Sequence, residues 1–466
     1  MTILVSYCQY GDSMKSSFMA PKKQLLSLFD ITMIVIGLVI GMGIFRTASD
    51  SARAAVTPSV FFISWIVGGF IALCGALTYA EIGSRYPITG GYYKIFATCY
   101  HPSIAFAVNC VILISNAASL SGVALIGSEY LAIDVIKPLM GIDLSELAQS
   151  FVAMGAILVF YGINLLGLRM SSTTQNILML IKISMILMIV SAIFFPNSHV
   201  SKIVEVPQGE LTFMDYVKSL GLALIAVSFT YGGYQQTINF GDEVKEPQKN
   251  LPRGIFIGIL VIILLYLSIS YAYFNVIGFE ELKTTKGIAA IVAERMFGPA
   301  GKFAFSILLF IAVLAYVNVL LLSNPRVMFA MSEDGILPKS FSKKDEKRDV
   351  LTVSLTVYAL ISVVILFFAD TFDKILGFTI FLDSIGMAFS AATIFIIRKR
   401  TKHLDSSKIY AMKFFPVMPV IFIGAYIFVA TSIAIDKPET ALIATAVLAF
   451  FLAIFFITNK KKKANV

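Results

Sequence analysis

Two short stretches, Gly37 with Gly41-Met42-Gly43-Ile44-Phe45 and, further on, Phe229-Thr230-Tyr231-Gly232-Gly233, decide how the rest of the chain is read. Each lies near the centre of an apolar run long enough for a helix to cross roughly 30 Å of hydrocarbon, predicted at 27–50 and 214–241. No water is available there, so a glycine-broken turn is tolerated only where it is buried in protein or lines a cavity. An unwound turn leaves N–H groups at the start of the outer half-helix, where the dipole favours a carboxylate, and frees carbonyls that suit an ammonium. The two together match an α-amino acid. A single glycine pair reads equally well as a close helix contact, since small residues let membrane helices approach. Two pairs, in the first and sixth apolar runs, occupy corresponding positions of two five-span halves. That is the pattern of discontinuous helices in inverted-repeat transporters.

Outward from these breaks, the 466 residues are 58% apolar and 14% charged, against about 45–50% and about 25% in soluble domains. Such a chain is an all-α polytopic membrane protein. About twelve runs of spanning length follow one another: 27–50, 59–82, 103–131, 150–168, 174–195, 214–241, 254–277, 301–331, 351–369, 375–397, 414–434 and 440–458. With the loops sorted alternately, 24 of the 37 Lys and Arg fall on the side of the termini and 11 on the other, leaving Lys182 and Arg326 inside predicted spans. The positive-inside rule then places both termini in the cytoplasm, with the chain multi-pass in the cell (inner) membrane. The net charge of +9 is a record of orientation, and nucleic acid drops out as a partner. The chain divides into a cytoplasmic tail 1–23, a first repeat 24–200, a second repeat 201–400, and two further helices with a basic tail at 401–466.

Residues 1–20 lack the basic start and apolar run of a cleavable signal peptide. A second Met at position 14 leaves open whether the stretch before it is a flexible tail or reflects start-site choice. Cys8, Cys74, Cys99 and Cys110 lie in the tail, in the membrane or near cytoplasmic helix ends, so no disulfide is expected. No CxxC, HExxH, Walker or dinucleotide motif occurs, and His101, His199 and His403 are scattered in loops. No metal, no cofactor and no enzymatic chemistry is expected.

The deep charges carry the functional reading. Lys182 lies roughly 13 Å into the fifth run at about 1.5 Å per residue, too deep to reach the interface, where a charge costs at least roughly 2.5–3.5 kcal/mol. It serves either as a cation or titrating amine beside the unwound turn of the first run, or as a structural lysine capped by carbonyls. Asp383, next to Ser384, has three open readings: contact with a substrate side chain, a proton relay, or a place in a water-filled outer vestibule. Asn109, Asn116, Tyr316 and Asn318 read as interhelical hydrogen bonding. Arg326, after Asn324-Pro325, lies near the cytoplasmic end of the eighth run, and Arg398 to Arg400 and Lys460 to Lys463 read as topology determinants facing anionic lipid.

Gly41-Met42-Gly43-Ile44-Phe45 resembles the GSGIF signature of the amino acid–polyamine–organocation (APC) superfamily, and in particular the L-type amino acid transporters and bacterial permeases and exchangers. Tyr79-Ala80-Glu81-Ile82-Gly83 with Pro87 and Gly90-Gly91 is similar to its YAELG…P..GG stretch. Phe229 to Gly233, Glu243, Pro247 and Leu251-Pro252-Arg253 resemble the pattern of its sixth helix, and Arg326 with Ala330-Met331 and Asp334 to Pro338 the end of its eighth. The resemblance covers roughly residues 24 to 400 in order. It implies a LeuT-type 5+5 inverted repeat plus two C-terminal helices, and a secondary active, sodium-independent transporter working as an exchanger or with protons. Its substrate carboxylate would meet the amides of Gly41, Met42 and Gly43, and its ammonium the carbonyls near Val39 and Phe229. Phe229 would be the lid, and Lys182 would stand where sodium-coupled relatives bind an ion. Tyr231 and Gly232 at the second break and, from its depth, Asp383 are taken as further substrate-binding residues.

Two departures stand out. Met42 replaces the usual Ser, removing one hydroxyl donor, and the loop 132–149 has no Cys, so no disulfide-linked partner subunit is expected. Neutral L-amino acids are favoured because Lys182 is placed in the pocket floor. Cationic amino acids or polyamines are the alternative that Asp383 supports, and a non-transporting amino acid sensor is the weaker rival.

Overall fold

The computed structural model describes residues 25–41, 43–194, 211–285, 287–368, 372–403 and 409–464, of which 368, 372–379 and 458–464 are described by backbone alone. The whole tail 1–23 with its cysteine, His199 and Met42 of the proposed site therefore lie outside the described residues.

The first apolar run forms two helices, α1 (Leu28–Val39) and α2 (Gly43–Ala54), bent by 42° across the glycine break. The start of α1 is set by a capping box, in which Ser27 Oγ accepts from the Asp30 amide at 3.2 Å and Asp30 Oδ2 accepts from the Ser27 amide at 2.9 Å. α3 (Pro58–Arg85) begins with Pro58 in its first turn behind the capping residue Thr57, a position where the missing N–H costs nothing. There follow α4 (Gly91–Cys99), α5 (Pro102–Leu131), α6 (Glu146–Leu165) and α7 (Leu168–Ser191). The second half repeats the break: α8 (Phe213–Tyr231) stops at Gly232-Gly233, and two short 3₁₀ turns carry the chain to Glu243. α9 (Pro247–Ile277), the short α10 (Phe279–Thr284) and α11 (Ile288–Glu333) come next. α11 kinks at Gly298, with φ 72°, immediately before Pro299. The remaining helices are α12 (Thr352–Phe368), α13 (Phe372–Arg400), α14 (Val417–Asp436) and α15 (Pro438–Ala464).

The all-helical polytopic class expected from composition is the one found: among the described residues there are only three isolated β-bridges and no strand. Among the described residues ten helices are long and apolar enough to cross a bilayer, eleven with the bent pair counted as one. The run expected at 351–369 forms α12, whose 17 residues fall short of the roughly 20 that a full crossing needs, so helix length alone does not reach twelve. Short α4 and α10 went unforeseen because each is shorter than a span and has polar neighbours.

The helices pack in two groups. α1, α2, α3, α8 and α9 pack mainly on one another, while α5, α6, α11 and α12 form the second group, with α7 against both α1 and α11. Buried aromatic rings fill the first group, among them Trp65, Tyr231 and Tyr266, with Trp65 and Tyr231 at 6.0 Å and Tyr231 and Tyr266 at 5.0 Å between centroids.

Candidate functional site

At the end of α1 the regular hydrogen bonding stops. Ile40, with φ −77° and ψ 84°, takes the shape of an inverse γ-turn, and the Gly41 amide donates back to the Val39 carbonyl at 2.8 Å. The Ile40 carbonyl, freed by the break, accepts from Lys182 Nζ at 2.5 Å. Lys182 has no exposed surface and finds no carboxylate partner among the described residues. The atom the lysine meets is a carbonyl that helix formation would otherwise have used.

The second break closes onto the first. Gly233 adopts φ +112°, and its Cα stands so near α1 that a Cβ there would come within 2.1 Å of the Leu38 carbonyl oxygen. Only a residue without a side chain allows the two broken backbones to touch in this way. Gly43 is similarly apposed to α8, where a Cβ would lie 3.0 Å from Thr230 Oγ1 and 3.3 Å from Thr230 Cα. Thr47 and Thr230 join hydroxyl to hydroxyl across this contact, and the Tyr266 hydroxyl lies 3.2 Å from both the Val39 and Thr230 carbonyls.

Both breaks line one cavity, which holds about 680 Å³ of atom-free space, continuous with the solvent-open side. Of the residues singled out from sequence, Val39, Gly41, Gly43, Phe229, Gly232 and Asp383 border it. Tyr231 does not: its side chain packs between Trp65 and Tyr266 with its hydroxyl 3.4 Å from the Trp65 carbonyl. Lys182 does not either, because its amine sits behind the break on Ile40. The Val39 carbonyl, expected to meet an ammonium, already accepts from Gly41 and lies against Tyr266, and the Phe229 carbonyl accepts from the Gly232 amide at 3.2 Å.

Several lining residues lay beyond sequence reasoning. Gln236 of the 3₁₀ turn donates to Asn116 of α5 at 3.0 Å, and Asn116 donates in turn to Asn324 of α11 at 2.7 Å. Asn239 reaches Ser323 of α11 at 3.3 Å and accepts from the Tyr92 amide at 3.0 Å. These bonds carry the polar backbone of the unwound segment across to the second helix group. Tyr316 pairs with Ser119 at 2.9 Å and lays its ring against Gly41. Asn116 and Tyr316 had appeared as ordinary interhelical polar groups, and nothing in their spacing marks the partners, which lie in remote parts of the chain.

A buried ion pair fastens α11 to the turn that follows the second break. Arg326 of α11 grips Glu243 with Nε at 2.9 Å and Nη2 at 2.7 Å from Oε2, both side chains buried, and stacks over the Phe240 ring at 4.5 Å. Burial pushes the Glu243 carboxyl above the ordinary carboxylate range, and the guanidinium opposes that shift. Leu25 and Leu26 donate their amides to the Glu243 carbonyl at 2.9 and 3.0 Å, so the segment before α1 is fastened to the same point. Gly90 donates to the Asn239 carbonyl at 2.9 Å from the other side. Nearby, Glu81 of α3 is fully buried and holds Arg85 at 2.8 Å, Arg398 at 2.6 Å and the Met412 amide at 2.9 Å.

Comparison with known proteins agrees with this architecture. The chain belongs to the amino acid permease family, whose sequence profile matches residues 26–462, as the helix 1 and helix 6 motifs led us to expect. The serine/threonine exchanger SteT of Bacillus subtilis (strain 168) is 26% identical over 95% of this chain and 98% of its own. The methylthioribose transporter of the same organism is 28% identical over 86% of each chain, and the human (Homo sapiens) cystine/glutamate transporter 25% identical over 95% of this chain and 87% of its own. The family and these relatives are membrane transporters and not enzymes.

Proposed function

We propose that this chain moves amino acids across the cytoplasmic membrane as a secondary active transporter, by sodium-independent alternating access, with the cavity between the two helix groups as its binding site. The observation that carries the reading is the meeting of the two breaks. Two discontinuous helices, from corresponding places in the two halves of the chain, expose backbone polar groups to one cavity at membrane depth, where unsatisfied groups are otherwise not tolerated. The start of α2 offers a positive dipole end for the substrate carboxylate. The relatives' cargoes include serine, threonine, cystine and glutamate, and the methylthioribose transporter shows that the scaffold also accepts a different class.

The Lys182 ammonium stands on the freed Ile40 carbonyl, where it supplies the cation that a sodium ion would otherwise bring, and this supports sodium independence. The first helix group would move against the second about the shared cavity. Both termini are placed in the cytoplasm by the distribution of basic residues.

Purified protein in liposomes loaded with a mixture of the common amino acids should take up labelled amino acid without sodium, and no flux under any gradient would end the reading. Uptake that requires internal amino acid and ignores a pH gradient identifies an exchanger; the opposite result identifies proton coupling.

A further inference from the structure

We infer that Asp383 is a cation-binding subsite of the cavity, selecting amino acids whose side chain ends in a positive charge. The inference rests on the reading of this cavity as the substrate site and names the class of substrate it takes.

Asp383 is the one charged residue that lines the cavity among the described residues. Its side chain is half-buried, and no described residue gives it a hydrogen bond or an ion pair. Three of the hydroxyls around it are directed elsewhere, and Tyr426 also borders the cavity: Ser384 donates to the Ile380 carbonyl at 2.7 Å, Tyr316 pairs with Ser119 at 2.9 Å, and Tyr92 donates to Ser390 at 3.2 Å. The two cations at depth are also taken, Lys182 by the Ile40 carbonyl and Arg326 by Glu243. A charge at membrane depth without a partner is costly, and such groups mark pathways and ligands. The expectation of a neutral side chain depends on Lys182 lying in the pocket floor. With that amine behind the lining, the cavity carries one unpaired carboxyl group and no positive side chain.

An amino acid whose carboxylate meets the start of α2 can therefore place a guanidinium or ammonium against Asp383, whereas an acidic side chain would be repelled. The carbonyls of Val39 and Phe229 already accept bonds within the chain, so the carboxylate of Asp383 is the strongest free acceptor a cation would find.

The test is a pair of near-isosteric ligands. Thermal unfolding of the purified protein is followed in detergent with arginine, with citrulline, which replaces the guanidinium by a neutral urea, and with alanine and glutamate, because a ligand bound to the folded state raises the midpoint in proportion to its occupancy. Arginine should stabilise half-maximally at a concentration at least about tenfold below citrulline, with glutamate weakest. In Asp383→Asn the arginine-to-citrulline preference should collapse to within about twofold. Equal potency of arginine and citrulline on the unmodified protein overturns the inference. So does an Asp383→Asn variant that weakens both ligands alike, which would assign the carboxylate to the α-ammonium, or one that keeps the preference, which would leave Asp383 a proton or vestibule group. Should Asp383→Asn fail to fold, the comparison on the unmodified protein still decides, with Asp383→Glu as the conservative variant. If no amino acid, alanine included, shifts the midpoint, the fault lies with the cavity as an amino acid site.

Discussion

Gly233 shows how one residue commits two distant parts of the chain to each other. Its φ of +112° and the 2.1 Å that a Cβ would leave to the Leu38 carbonyl oppose any side chain twice, once by backbone strain of about 1–3 kcal/mol and once by a clash with backbone that cannot swing aside. Gly233→Ala should lower the unfolding midpoint of the purified protein by several degrees and abolish uptake. Gly155→Ala is the control, since nothing lies within 4 Å of a Cβ there. In mid-helix it should be neutral or stabilising by up to about 1 kcal/mol; equal damage from both substitutions would remove the claim that the two breaks must touch. Lys182 poses a different question. Lys182→Met keeps most of the packing and removes the donor to Ile40, leaving a buried carbonyl without its partner at a cost of about 1–3 kcal/mol. Transport by this variant should fall at least tenfold while the folded protein is still obtained. Unchanged flux would show that the amine only caps a carbonyl.

At the scale of elements, the sequence made the broken helices legible because glycine in mid-membrane has few uses, and it made the deep lysine legible because buried charge is rare. What it could not show were pairings between residues far apart along the chain: Gln236 with Asn116, Asn239 with Ser323, Arg326 with Glu243. Each partner alone reads as an ordinary polar residue of a helix or turn, and only the folded arrangement brings them within reach. Tyr231 illustrates the opposite error. Its position beside Gly232 suggested the site, yet an aromatic ring on the inner face of α8 finds Trp65 and Tyr266 first. The Arg326 and Glu243 pair gives a prediction of its own. Because removing one member leaves a buried charge uncompensated, Glu243→Ala or Arg326→Ala should each destabilise by about 3–5 kcal/mol. The double variant Glu243→Gln with Arg326→Met should lose less than the sum of its two single changes, since the members interact directly. Strict additivity in thermal unfolding would mean that the two side chains do not stabilise each other.

For the whole molecule, we propose an orientation from the distribution of charge. Sorted by face, the basic residues divide 24 to 11, an imbalance that orients insertion because Lys and Arg near span ends are retained in the cytoplasm. The sorting holds only if the number of crossings is even, and it counts α12, at 17 residues, as a crossing despite its length. A helix of that length can still cross where the bilayer thins around it or flanking side chains reach to the interface. Were α12 to stop short of crossing, every later loop would change sides, and Arg398 to Arg400 would face outward together with the C-terminal lysines. Reporter fusions distinguish the two cases. A fluorescent protein fused at the C-terminus should fluoresce, and alkaline phosphatase fused there should be inactive, as both report a cytoplasmic end. Alkaline phosphatase fused after Lys374, in the first turn of α13, should be active. An active fusion at the C-terminus combined with an inactive one after Lys374 would show that α12 does not cross, and with it the two-fold plan of five spans in each half would fail.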